Sequence, residues 1–374
     1  MRKSVICGYL RSPFTPSFKG SLSKVRPDDI LKEILREIVN KNSINADDIE
    51  DIKIGCAFPE GEQGLNIARM AVLMAGLPIS VAGTTTNRFC GSSMQTIHDA
   101  AGAIACGAGD LFIASGIESM TRVPMTGFNP LPNPDLYEKY PEAYESMGIT
   151  AENIASKYKI SRKEQEEFAV RSHELAAKAR SSGNFEEEIV AIGDISKDGC
   201  IRDNVTQDAL SGLKPAFDKD GSVTAGTSSP LTDGGAAVIV ASEEYADKNG
   251  LNKLAYIKSF AVSGCKPELM GLGPIESTSK ALERAGLSID DIDIIEINEA
   301  FSSQALACIK ELNLDIDKIN IDGGAIAIGH PLGATGARIV GKAASLLKRE
   351  NKKYALATQC IGGGQGIATI LEAI

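Results

Sequence analysis

A chain of 374 residues with 43% hydrophobic and 24% charged side chains has the make-up of a globular protein, long enough for two or three domains that need no disulfide staples. Its net charge of −10 provides no broad basic field, which argues against nucleic acid or an anionic membrane as partner; an anionic ligand would be held locally, by a few Arg or Lys and by backbone N–H groups. No apolar run approaches the roughly 20 residues of a membrane span, and the eight scattered cysteines contain no CxxC pair, so no metal site is expected and the thiols read as reduced, in a cytoplasm.

The opening MRKSVICGYLRSPF has an apolar run too short for the core of a signal peptide and reads as a first buried strand. VICGYL, DLFIAS, AAVIVAS and YALATQ are further short apolar runs of strand type, and residues 94–107 and 337–349 carry helical patterns rich in small side chains. Strand, Gly-rich loop, helix and strand in succession predict an α/β fold. From Thr121 to about Asp220 the chain is richer in Pro, Tyr and charge, and this stretch is expected to form an inserted lobe covering a site. Within it, SRKEQEEFAVRSHELAAKARSSG predicts one helix, with Ser161 as N-cap, Glu164 completing a capping box and Gly183 as the stop.

A repeat runs through these elements. INADDIEDIKIGCAF (residues 44–58) resembles LSIDDIDIIEINEAF (residues 287–301), with Asp47 and Asp290 standing 243 positions apart. The same offset carries Cys90 to position 333, inside GHPLGATGAR. The two motifs are therefore expected to open equivalent helices in two related α/β halves, 1–252 and 253–374, stacked about a pseudo-twofold axis so that two helix N-termini meet at one site.

Cys90 lies in NRFCGSSMQ, ahead of a helix whose N-terminus would lower its pKa and whose free N–H groups could hold an oxyanion. Most free cysteines are merely small buried hydrophobes, and Cys106 on the same helix is expected to be one. Of the three histidines, His98 is two helical turns from Cys90 and His173 sits in the charged helix as a surface or packing residue. His330, in GGAIAIGHPLGATGAR, is the candidate base, because glycines permit close approach and Pro331 stiffens the loop. Cys360, in ATQCIGGGQG, ends a buried strand and is followed by glycines that can present N–H groups. Asn298, in INEAF, could orient a water or donate a hydrogen bond. No GxGxxG or GxxxxGK[ST] spacing occurs, so dinucleotide and P-loop readings fail.

Together NRFCGSSMQ, NEAF, GGAIAIGHPLGATGAR and CIGGGQG resemble the thiolase family, in its order and approximate spacing; TAGTSSPLTDGGAAV, MGLGPI and MGITAENIA extend the resemblance over nearly the whole chain. It implies a thiolase-like fold, two αβα halves in five αβαβα layers with an inserted loop lobe. It also implies an acyltransferase that cleaves 3-ketoacyl-CoA with CoA, giving acyl-CoA and acetyl-CoA. By the resemblance, Cys90 is the nucleophile and His330 activates it and helps hold the enolate oxygen. Asn298 fixes a water in that first oxyanion hole, Cys360 protonates the acetyl carbanion, and the N–H groups of Cys90 and Gly362 form a second oxyanion hole. Ser229 would meet the pantetheine chain, Arg202 the nucleotide end, and Met147, Phe217 and Phe301 would line an apolar tunnel. CoA is then a substrate, with no permanently bound cofactor; a homodimer or homotetramer is expected, in some relatives joined to a hydratase–dehydrogenase subunit.

CGSSMQ, GGGQG, TRVPMTGF and Ser146 before Met147 resemble the 3-ketoacyl-CoA thiolases (acetyl-CoA C-acyltransferases) of fatty-acid beta-oxidation. The short-chain acetoacetyl-CoA branch, which more often reads CGSG and GGGMG, is the first alternative. A catalytically silent acyl-CoA binding protein is the second, disfavoured because all four reactive positions are intact. Asn298 and Cys360 argue against a ketoacyl-carrier-protein synthase, and a sterol-carrier-type relative would have histidine in place of Asn298.

Overall fold

The computed structural model describes residues 2–374. Ten strands follow the chain: β1 (Ser4–Arg11), β2 (Thr15–Pro16), β3 (Asp51–Gly55), β4 (Ala82–Thr86), β5 (Leu111–Ser119), β6 (Thr232–Ser242), β7 (Ala255–Gly264), β8 (Ile294–Ile297), β9 (Tyr354–Ile361) and β10 (Gln365–Ala373). They join in the order β4-β3-β5-β6-β1-β7-β10-β9-β8, with β2 on β6. β3 is parallel to β4 and β5, while β5–β6 and β6–β1 are antiparallel. The second half repeats this. β8 is parallel to β9, β9–β10 and β10–β7 are antiparallel, and a parallel bridge from Ile295 to Ile319 stands where β4 stands in the first. The halves meet where Val5 and Ile6 of β1 face Tyr256 and Ala255 of β7.

The repeat offset holds in three dimensions. The Ser92–Ala105 helix and the Thr335–Arg349 helix begin 243 positions apart, as do β3 and β8. These two helices form the middle layer. Met94, Ile97 and Ile104 from one and Ile339, Val340 and Leu347 from the other share a core with the inner faces of both sets of strands. The Pro27–Lys41 and Ile67–Ala75 helices cover the first outer face, with their own core. The Gly273–Ala285 and Ser302–Glu311 helices cover the other. Five αβαβα layers result. Strands covered on both faces must be apolar throughout rather than alternating, which is why LFIASGIES and TDGGAAVIVAS are buried at every residue. The middle helices are built of small side chains because each is enclosed on all sides: a Cβ at Gly336 would stand 2.2 Å from the backbone nitrogen of Met94.

The lobe between Thr121 and Asp220 holds more helix than its sequence suggests. The Arg162–Ser181 helix has the expected Ser161–Glu164 capping box, and Gly183 follows at φ +77°. Pro134–Lys139, Met147–Tyr158 and Gln207–Ser211 are helices too. Met147–Tyr158 buries Gly148, Thr150, Ala151, Ile154 and Ala155, a face of mostly small residues that leaves little hydrophobic periodicity to read. Buried ion pairs attach the lobe's end to both halves: Glu188 accepts from Arg11 of β1 at 2.8 Å and from Lys342 of the middle layer at 2.9 Å, and Asp198 also binds Arg11, at 2.7 Å. Among the described residues no helix is long and apolar enough to cross a membrane.

Candidate active site

The loop before the Ser92–Ala105 helix is a tight turn held by its own side chains. Asn87 Oδ1 accepts from Phe89 N at 2.8 Å, and the Ser92 hydroxyl accepts from Arg88 N at 2.9 Å and donates to Phe89 O at 2.6 Å. Phe89 is forced to φ +43°, a costly left-handed backbone for an aromatic residue. The turn points the next side chain, Cys90, inward against Ala57, Met120 and Leu332. Gln359 donates to the Cys90 carbonyl, so β9 grips the turn from the other half.

Burial dominates the Cys90 thiol. Its pKa is pushed up to about 11, although the backbone N–H groups of Gly362 and Cys90 itself point at the sulfur and oppose the rise. The lowering expected from a helix N-terminus does not prevail, because the thiol is desolvated and the carboxylate of Glu118 lies near. Cys106, expected to be buried, is exposed at the end of the helix, where it has passed beyond the packed layer.

His330 is buried in the loop before the Thr335–Arg349 helix. Its N–H donates to Thr232 Oγ1 at 3.0 Å. The Thr335 hydroxyl gives its single proton to Pro331 O at 2.9 Å, so its oxygen is left to accept from His330 Nδ1 at 2.6 Å. That fixes the tautomer: Nδ1 carries the hydrogen and Nε2 keeps its lone pair. Nε2 lies 3.3 Å from Asn298 Nδ2, while Asn298 Oδ1 is buried without a partner. Burial, aided by Arg338, pushes the His330 pKa down to about 3, so the imidazole is neutral. Glu299, next to Asn298, accepts from Ser172 Oγ (2.6 Å), Asn320 Nδ2 (2.8 Å) and Ile326 N (3.2 Å), bracing the approach to the His330 loop.

Cys360 sits on β9 opposite Gly366 of β10, buried among Ala151, Val223, Met270, Ala300 and Phe301, with Met147 packed alongside. Its pKa is pushed well up, first by burial and then by the neighbouring Cys90 and Cys308 thiols. Phe217 meets Phe301 edge-on, with centroids 5.8 Å apart. Ser229 donates to Ala300 O through N (3.0 Å) and Oγ (3.1 Å). Cys90, Cys360, Gly362, Met147, Phe217, Phe301 and Ser229 thus fall in one neighbourhood, and His330 with Asn298 borders it through Leu332. Arg202 is apart. It lines a hollow of about 540 Å3 with His173, Leu210, Leu213, Ser228 and Pro230, and none of the four reactive residues lines that hollow.

Sequence reading missed the residues that hold these groups: Thr335, Gln359, Thr232 and above all Glu118. A signal existed for the last, since a carboxylate inside the wholly apolar run LFIASGIES must find buried donors.

The other two histidines are buried and neutral as well. His98 stacks on Phe260 (4.3 Å) and meets Thr369 Oγ1 through Nε2 (2.8 Å), with its pKa pushed down to about 3; His173 Nδ1 accepts from Arg202 N at 3.3 Å and is pushed down to about 4. Each takes up a proton near pH 6.5 only when the chain unfolds. Their contribution is complete above that pH and is lost as pH falls towards the folded values, by roughly 2 kcal/mol per histidine at pH 5. Glu296, pushed up to about 7 by burial, works in the opposite sense, as do Glu118 and Glu299, in which hydrogen bonds oppose the rise; the three histidines carry the larger change between pH 7 and pH 5. The urea midpoint is therefore expected to be lower at pH 5 than at pH 7; an equal or higher midpoint would contradict the burial of these rings.

Comparison with known proteins agrees with this geometry. The N-terminal domain model of thiolase matches residues 4–244 and the C-terminal domain model residues 251–373. A 3-ketoacyl-CoA thiolase of Bacillus subtilis is 47% identical, and a 3-oxoadipyl-CoA/3-oxo-5,6-dehydrosuberyl-CoA thiolase of Escherichia coli 45% identical, each over the full length of both chains. The crystal structure of the Bacillus anthracis acetyl-CoA acetyltransferase superposes with a TM-score of 0.92 at 39% identity, covering 100% of this chain and 99% of that one. A fold, a set of loops and two domain matches that span nearly all of the sequence lead to one statement: the chain belongs to the thiolase family.

Proposed function

We infer that this protein is an acetyl-CoA C-acyltransferase that cleaves 3-ketoacyl-CoA with CoA, in fatty-acid beta-oxidation. The observation that carries the reading is the pair of buried thiols, Cys90 and Cys360, gathered with a neutral imidazole whose unprotonated Nε2, 3.3 Å from Asn298 Nδ2, can take a proton. The Cys90 proton passes to His330 as the sulfur attacks the C3 carbonyl. The C2–C3 bond then breaks, leaving the acyl group on Cys90 and an acetyl-CoA enolate. His330 and a water on Asn298 stabilise that enolate, the unpartnered Asn298 Oδ1 being an acceptor for such a water, and Cys360 supplies the proton that completes acetyl-CoA. CoA then gives its thiol proton to the Cys360 thiolate and attacks the acyl thioester, with the N–H groups of Cys90 and Gly362 around its carbonyl oxygen, and Cys90 leaves and takes its proton back from His330.

CoA enters as a substrate and no permanently bound cofactor is required. Met147, Phe217 and Phe301 would line the acyl path, Ser229 the pantetheine, and Arg202 in its separate hollow the nucleotide end. The division into 1–252 and 253–374, with a covering lobe at about 121–220, suits this arrangement, since the lobe supplies Met147, Arg202 and Phe217. A homodimer or homotetramer in the cytoplasm completes the proposal.

The similarity to an acetyl-CoA acetyltransferase structure supports a second reading, short-chain acetoacetyl-CoA as substrate. Rapid acid quench with acetoacetyl-CoA and, in parallel, 3-ketooctanoyl-CoA, followed by peptide mass mapping, decides. An acetyl or hexanoyl adduct on Cys90 is expected, and the faster-labelling substrate selects the branch. Binding of both without an adduct would leave a silent acyl-CoA binding protein.

A further inference from the structure

Glu118, the penultimate residue of β5, has no part in the chemistry above, yet its carboxylate is fully buried. It accepts from Ala57 N (2.8 Å) and Phe58 N (3.4 Å) beyond β3, from Gln63 Nε2 (2.7 Å), and from Gly333 N (2.9 Å) in the His330 loop. The Cys56 thiol approaches it at 3.7 Å. Burial pushes the Glu118 pKa up and the four N–H donors oppose that rise; none of the partners is a cation. Two of those donors adjoin the small cluster that holds the nucleophile: Ala57 belongs to it together with Cys90, and Gly333 follows Leu332, another member. Gly333 is pressed so closely on the strands that a Cβ there would stand 2.4 Å from Ile117 O, so the contact with Glu118 leaves the loop little freedom.

We propose that Glu118 is a positioning residue that ties the His330 loop to the Cys90 pocket through Gly333 and Ala57. The inference rests on the roles given above to Cys90 and His330. The Glu118 charge adds to burial, the larger cause, in holding Cys90 as a thiol; a thiol that ionises only as its proton moves to Nε2 reacts only when substrate is in place. Glu118 on β5 is the carboxylate that acts on the Cys90 thiol and Cys360 on β9 is its thiol neighbour; Cys56 lies beside Glu118, and Arg338 lies beyond the His330 imidazole.

The test uses Glu118→Gln and Glu118→Asp in the full chain, with two readouts: the pH midpoint of Cys90 alkylation by iodoacetamide, followed by peptide mass, and the separate kcat and KM of thiolysis. Glu118→Gln removes the charge, and the alkylation midpoint is expected to fall by about one pH unit. kcat should fall at least tenfold with KM for acyl-CoA close to wild type, because the clamp places the imidazole and not CoA. Glu118→Asp keeps the charge but is too short to bridge both sides, so its midpoint should stay put while kcat falls. An unchanged or raised midpoint in Glu118→Gln overturns the electrostatic part, and wild-type kcat in Glu118→Asp overturns the clamp. If Glu118→Gln does not fold, the unchanged midpoint and reduced kcat of Glu118→Asp support the proposal, and a shifted midpoint refutes it. Alkylation needs no turnover, so these outcomes stay separate from any failure to find an acyl adduct on wild-type Cys90.

Discussion

Cys90→Ser is expected to lower thiolytic turnover by about 10^4-fold or more while leaving the fold intact. The two side chains are nearly the same size, and the site is a small apolar pocket of Ala57, Met120 and Leu332 that accepts either. The chemistry does not. The thiol, even pushed up to about 11, is far more acidic than an alcohol, so the serine hydroxyl gives its proton to His330 far less readily and is the poorer nucleophile. The N–H groups and the binding surface survive, so a small residual rate above the uncatalysed reaction should remain. Steady-state thiolysis beside a thermal melt measures both parts. A variant that melts like wild type and turns over normally would end the case for Cys90 as nucleophile.

His330→Ala should reduce the rate of Cys90 acylation by about 10^3-fold, within the range for loss of a positioned general base. Removing the ring leaves Thr335 Oγ1 without its Nδ1–H donor and Asn298 Nδ2 without its acceptor. Neither binds the acyl chain, so the KM for acyl-CoA should move far less than the rate. Single-turnover acylation in a quenched-flow instrument is the direct measurement. Acylation as fast as wild type would show that some other group takes the Cys90 proton.

Much of the frame was legible because it rests on patterns that stay local. Strands covered on both faces gave unbroken apolar runs, and the acidic junction before β3 and before β8 repeated closely enough to reveal an offset that the helix starts at Ser92 and Thr335 reproduce. The candidate reactive residues stood out for a related reason, since a nucleophile, a base and N–H-presenting glycines each call for an unusual loop. What escaped was of two kinds. The Met147–Tyr158 helix packs through small residues whose burial leaves almost no amphipathic trace. Glu118, Gln359 and Thr335 act through individual hydrogen bonds, and those of Glu118 to Gly333 N and Gln359 to Cys90 O span more than 200 positions, a contact that no residue pattern encodes. The direction of the Cys90 shift was misjudged because a helix terminus shows in sequence and desolvation does not.

The shared middle layer also has a bearing on time. The Ser92–Ala105 helix has its neighbour in the Thr335–Arg349 helix, yet 244 residues separate the end of one from the end of the other. At roughly 5–20 residues per second of synthesis, the first helix waits on the order of 12–50 s for the element that covers it. Throughout that interval the nascent chain carries an open apolar face with Met94, Ile97 and Ile104 at its centre. A folding helper that binds exposed hydrophobic surface would have its longest opportunity there, and a ribosome stalled before residue 335 would release a chain prone to aggregate.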